Sequence, residues 1–132
     1  MRRGTIDMQD NIATVILAAG RILLGGLFVT GGIRHLFILV PVTNAIEARG
    51  IPCAKFVLLA GTAFQLIAGA MLMAGIAVAA VAFGLVLFTI AASAMLLDFW
   101  NMEGSARDGA INGWQSNMAV IGGLLLAAAG AM

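Results

Sequence analysis

The chain has 132 residues, 62% of them hydrophobic and 10% charged, with a mean hydropathy of +1.07. A soluble domain averages about 45–50% apolar and about 25% charged residues, and a small one has too much surface for its volume to hide this excess; the composition therefore excludes a water-soluble globule. A formal charge of +1 with no basic run excludes a nucleic-acid binder, and the single Cys53 excludes an intrachain disulfide, a CxxC pair and a thiolate-rich metal site.

A helix needs about 20 mostly apolar residues to cross the hydrocarbon, and four runs qualify, at about 12–36, 54–74, 76–97 and 116–132. The runs are continuous rather than alternating and rich in Ala and Leu, which argues against a β-barrel. The expected fold is an all-α integral membrane four-helix bundle, one transmembrane domain over 1–132. Arg2 and Arg3 precede the first run as in a signal peptide, but Asp7 and Asp10 intervene and no small-residue cleavage site follows, so an uncleaved first span is expected.

The connections differ in kind. Between the first two spans, 42–49 predicts a short interfacial helix, with Pro41 suited to its first turn and Gly50 to its C-terminal end. Spans two and three meet at Gly75 with essentially no loop and predict a tight hairpin. The polar stretch 98–115 reads as the longest loop. The termini and the Gly75 turn thus share one side of the bundle, here the turn side, and the two loops share the other. Arg34, Arg49, Lys55 and Arg107 on the loop side against Arg2 and Arg3 on the turn side are too few to fix the orientation.

Glycines at 20, 25, 26, 31 and 32 in span one, 61 and 69 in span two, and 122, 123 and 130 in span four let helix backbones approach closely. The same faces are also suited to a partner helix or a flat ligand. Arg21 stands about nine residues into span one, where a charge costs at least about 2.5–3.5 kcal/mol on insertion scales. It either snorkels or is capped within the bundle, or it binds a ligand or partner. No acid lies within a span to neutralise it, which leaves Gln65, Thr62, Thr89 and Ser93 as intramembrane candidates. Thr89 and Ser93 share a helix face, although such hydroxyls usually bond their own backbone.

The loop side gathers His35, Asp98, Trp100, Asn101, Trp114 and Asn117. They form either an interfacial belt or a polar mouth in which His35 and Asp98 handle protons. A single histidine excludes a bis-histidine haem within one chain, and the methionines follow no metal spacing, so no metal site is expected.

Several of these residues recur in a recognisable order. Arg21-x3-Gly25-Gly26, Gly31 and His35 are followed by Gly50-x-Pro52, Gly61-x3-Gln65-x3-Gly69, Asp98-Phe99-Trp100-Asn101 and Asn117. In this the chain resembles the DoxX/DoxD-like family of small four-helix bacterial membrane proteins, over about 12–130. The resemblance implies a multi-pass protein of the bacterial cytoplasmic membrane. Some members are the small membrane subunit of thiosulfate:quinone oxidoreductase, others are linked to membrane redox complexes, and many have no assigned activity. Many relatives carry a histidine just before the acidic residue of the span-three motif, where this chain has Leu97.

The resulting expectation is a small integral subunit of a quinone-linked oxidoreductase system, anchoring a partner subunit or helping to form a quinone-accessible pocket. Arg21 and Gln65 are expected to line a buried polar site, and His35, Asp98, Trp100, Asn101 and Asn117 its mouth. No catalytic residue is assigned. No covalent cofactor is expected, a quinone is the implied ligand, and a homo-oligomer stays open. The alternatives are a structural anchor or assembly subunit with no small-molecule site and, further off, a small-solute carrier that would have to oligomerise.

Overall fold

In lipid every backbone N–H and C=O must be satisfied within its own segment, and runs of Ala, Leu, Val and Met do this as helices. The computed structural model describes residues 2–132, with side chains from residue 4 onward. It contains α1 (Arg2–Phe37), α2 (Leu39–Ala48), α3 (Ala54–Ala74), α4 (Val78–Leu96) and α5 (Gly104–Gly130), with a 3₁₀ turn at Phe99–Asn101. The side chains of Arg2 and Arg3, counted above for orientation, lie outside the described residues.

Among the described residues three segments are long and apolar enough to cross a membrane: Gly4–Phe37, Ala54–Ala74 and Val78–Asn101, whose 18-residue apolar stretches have mean hydropathies of 2.2, 2.0 and 2.4. The fourth predicted span, 116–132, is the apolar second half of α5. Its first half carries Arg107, Asp108, Asn112 and Gln115, and α5 is not among the three. The expected loop over 98–115 is corrected accordingly: α5 is already helical from Gly104. Polarity ends a run of membrane hydropathy, but it does not end a helix. The interfacial helix is present and starts at Leu39 rather than Val42, with Pro41 in its first turn.

Neighbouring long helices run antiparallel. A Cβ added at Gly25 of α1 would collide with the Gly69 carbonyl oxygen and the Met73 side chain of α3, while one at Gly32 would lie 2.7 Å from Leu66. Phe88 of α4 packs near Gly61 and Phe64 near Gly84; Leu24 and Leu17 of α1 approach Gly123 and Gly130 of α5. The four long helices therefore close an up-down-up-down ring, α1 packing most heavily on α3 and α4 on α5. The α3–α4 turn is as tight as expected: Gly75 takes φ +78, a left-handed C-cap that glycine adopts without strain, and donates its N–H to the Leu72 carbonyl.

The packed core lies in the turn half. Phe28, Leu72, Ala82, Leu85, Leu124 and Ala128 are among its buried members. A second, smaller cluster of Ile46, Ala54 and Leu58 holds α2 against the start of α3. Helix α1 is longer than its partners. Arg21 is level with Gly75, so α1 runs on for about 28 Å past the turn, with Ile12, Val15 and Ile16 exposed.

Candidate functional site

Between the two apolar clusters the small side chains of Gly31, Gly61, Ala91, Ala92 and Ser93 leave space that no neighbour fills. Two adjoining cavities result. The larger, about 320 Å³, lies among α1, α4 and α5, with Gln65 as the contribution of α3 and with His35, Thr89, Ser93 and Asn117 as the other polar lining residues. The smaller, about 200 Å³, lies among α1, α2, α3 and α4 and includes Ile46, Thr62 and Met95. His35, Phe88, Ala92 and Leu96 border both. Among the described residues lining either cavity, His35 alone carries an ionisable side chain.

Gln65 is the most constrained of these. It is 6% exposed, and its Oε1 is buried with no hydrogen-bond partner. A Cβ at Gly31 would stand 2.8 Å from its Nε2, so this glycine is what lets the amide lie against α1. Thr62, one turn before Gln65 on α3, also has a buried hydroxyl without a partner and lines the smaller cavity. An unsatisfied buried polar group costs about 1–3 kcal/mol. Two of them on one helix face, each beside a cavity, mark a place built to receive hydrogen bonds.

The opposite wall is satisfied. Asn117 Nδ2 donates to Ser93 Oγ at 2.7 Å and joins α5 to α4. Thr89 donates to the Leu85 carbonyl at 2.7 Å, the backbone bond expected of a membrane-helix hydroxyl. Trp114 Nε1 donates to the Leu97 carbonyl at 2.6 Å, tying α5 to the end of α4.

The predicted mouth divides. His35 and Asn117 meet at the larger cavity, but Asp98 does not join them. Its carboxylate accepts from Arg49 Nε at 3.1 Å and Nη2 at 2.6 Å, while Arg49 Nη1 donates to the Ala45 carbonyl at 2.7 Å. Asn101 Nδ2 adds a 3.5 Å contact to the second Asp98 oxygen. Asp98 is 8% exposed and thus latches α2 to the end of α4; Arg49, Asp98, Trp100 and Asn101 line a separate shallow depression. The Asp98 carboxylate is thus held by Arg49, which sequence reasoning counted only as a loop charge, while His35 lines the two cavities apart from it. The Gly50 stop places Arg49 at the C-cap of α2, and that was the available signal.

Arg21 and Gln65 are not brought together either. Gln65 contacts α1 at Gly31, ten residues or about 15 Å along the helix from Arg21. Arg21 lies instead against the Gly75 turn, so the buried polar site is carried by Gln65, Thr62, His35 and Asn117 without it. Trp100 is 57% exposed, in keeping with an interfacial position. Among the described residues no group of three or more His, Cys, Asp or Glu side chains is arranged to hold a metal ion.

The family model described as DoxX matches residues 16–97, which takes in α1 from its second quarter through α4 and includes Arg21, His35 and Gln65. Asp98, Trp100, Asn101 and Asn117 fall beyond the matched stretch. Neither the curated proteins nor the solved structures give a match to the chain.

Proposed function

Because the chain belongs to the DoxX family, we propose that it is a small multi-pass subunit of a quinone-linked redox system in a bacterial cytoplasmic membrane, with the larger cavity as its quinone-accessible pocket and α5 as its fourth crossing. The observation that carries this reading is the buried, unpartnered Gln65 amide oxygen beside a mainly apolar cavity of about 320 Å³, a volume at the lower end of the range for small-molecule sites.

The chemistry of the lining suits such a ligand. A bound quinone takes up two electrons from a partner's flavin, haem or metal centre, together with two protons. A carbonyl that only accepts hydrogen bonds becomes a hydroxyl that also donates, so its neighbours must serve both states. An amide has a donor nitrogen and an acceptor oxygen, and a neutral imidazole has one of each. Gln65 and His35 therefore fit both. His35 is placed to hold or pass a proton at a ring nitrogen. Phe28, Leu27, Phe88 and Val120 supply the apolar wall for a ring, and the smaller cavity under α2 offers room for part of an aliphatic tail. The electrons themselves must come from a partner subunit's cofactor.

The test is gentle purification from the native membrane, followed by quinone extraction and mass spectrometry of wild type and Gln65→Leu. The expected result is a cofactor-bearing partner with both chains, and a quinone with the wild type that is reduced about tenfold in Gln65→Leu. Equal quinone in the two chains, or none in either when the partner is retained, overturns the pocket. A second reading, a structural anchor without a small-molecule site, draws on the bare apolar face of Ile12, Val15 and Ile16 on α1. It predicts a retained partner and no effect of Gln65→Leu.

A further inference from the structure

Arg21 differs from Arg49 and Arg107 in having nothing to bond. Every hydrogen-bonding group of Arg49 is engaged at the loop end, and Arg107 lies over the Phe99 ring at 5.8 Å. Arg21 makes no hydrogen bond, ion pair or ring contact with any described residue, and its Nε is sealed from solvent. The guanidinium packs over the α3–α4 turn: a Cβ at Gly75 would lie 3.3 Å from Nη2. The Leu72 and Met71 carbonyls of that turn already accept from Gly75 and Ile76. The acids of α1, Asp7 and Asp10, lie at least eleven residues away along the helix, about 16 Å, beyond the reach of either side chain.

Beside Arg21 is a small cavity of about 80 Å³, bordered by Gly20, Val78, Gly130 and Ala131. These residues bring no negative side chain and little bulk, and a Cβ at Gly20 would meet nothing within 4 Å. With its Nε sealed among apolar neighbours and no protein partner for its charge, Arg21 is stabilised by an anion beside it. It also lies level with the end of the α3–α4 hairpin, and a hairpin of two membrane spans turns near the headgroup layer. A guanidinium presents its donors as a planar fork that matches two oxygens of a phosphate group.

We propose that Arg21 and the small residues around the Gly75 turn form a phosphate-binding site at the turn end of the bundle, separate from the cavities at the other end. Its natural source is the headgroup of an anionic phospholipid; free phosphate shares the chemistry. The site neutralises Arg21 and fixes the depth at which α1 meets the α3–α4 hairpin.

The full chain, delipidated in a neutral detergent, is titrated separately with phosphatidylglycerol, phosphatidylcholine and inorganic phosphate. Lipid retention is read by native mass spectrometry and protection of Arg21 from phenylglyoxal by peptide mapping. The expected result is retention of phosphatidylglycerol by wild type that falls about tenfold in Arg21→Gln and largely returns in Arg21→Lys, with Arg21 protected in the lipid-bound wild type. Protection by inorganic phosphate at similar concentration assigns the site to the free anion. Equal retention by wild type and Arg21→Gln, or an Arg21 that stays fully reactive with every additive, overturns the proposal. So does a co-purifying subunit lost from Arg21→Gln with lipid retention unchanged, since a partner's carboxylate would then be the counter-ion. The labelling arm uses wild type alone and holds even if Arg21→Gln fails to fold.

Discussion

From the Gly75 turn to the level of Phe28 and Leu85 the bundle is filled by interlocking apolar side chains, and the helices touch through glycine. From Gln65 to Trp114 the same four helices border two cavities, α5 is joined to α4 by Asn117–Ser93 and Trp114–Leu97, and α2 is joined to the end of α4 by Arg49–Asp98. Lipid tails are as apolar as leucine, so burying one against the other gains little, and packing density and interhelical hydrogen bonds must hold helices together. One half uses the first means and the other the second. The second leaves the larger space, and two of the polar groups left unsatisfied there, Gln65 and Thr62, border it.

The contrast can be broken most severely in the packed half. Gly25→Ala puts a Cβ into the Gly69 carbonyl, which is backbone and cannot yield, and is expected to cost about 3 kcal/mol, measured by unfolding in mixed micelles. In the loop half the largest loss should follow Asp98→Leu, which strands the partly buried Arg49 guanidinium and is expected to cost about 2–3 kcal/mol. The Arg49→Leu/Asp98→Leu double variant is expected to be more stable than either single one, because no charge is left alone. A double variant as unstable as the sum of the singles would show that the latch is not a pair.

Smaller effects sharpen the same comparison. Gln65→Leu removes an orphaned acceptor and is expected to raise the stability of the ligand-free chain by about 1 kcal/mol while weakening quinone retention. A loss of stability instead would mean that the amide is bonded within the protein. Arg21→Gln is expected to shift stability in lipid-free detergent by less than about 0.5 kcal/mol, since no protein bond is lost. The two arginines at opposite ends should thus differ by several-fold in what their removal costs.

The apolar runs of α1, α3 and α4, the helix over 42–49 and the Gly75 hairpin were all legible in the sequence, because hydropathy, proline and glycine act locally. The Gln65 site was half legible: its spacing from Gly61 and Gly69 marked it, but not that Gly31 makes room for it. The start of α5 was not legible, since Gly104 to Gln115 is polar and hydropathy reports the surrounding solvent rather than helical geometry. Nor was the fate of Asp98. Six polar or aromatic residues crowd the loop side, and which of them meet depends on how each helix is rotated about its axis.

The sequence by itself determined that this chain lives in lipid, that it crosses as helices, and where its tightest turn falls, because each follows from transfer energies and backbone geometry within a short segment. Only the tertiary structure decided that Arg21 and Gln65 part company, that Arg49 claims Asp98, and that His35 stands between two cavities. Those outcomes rest on helix register and rotation, which are set by the close contacts of Gly25, Gly31 and Gly69 across the α1–α3 seam.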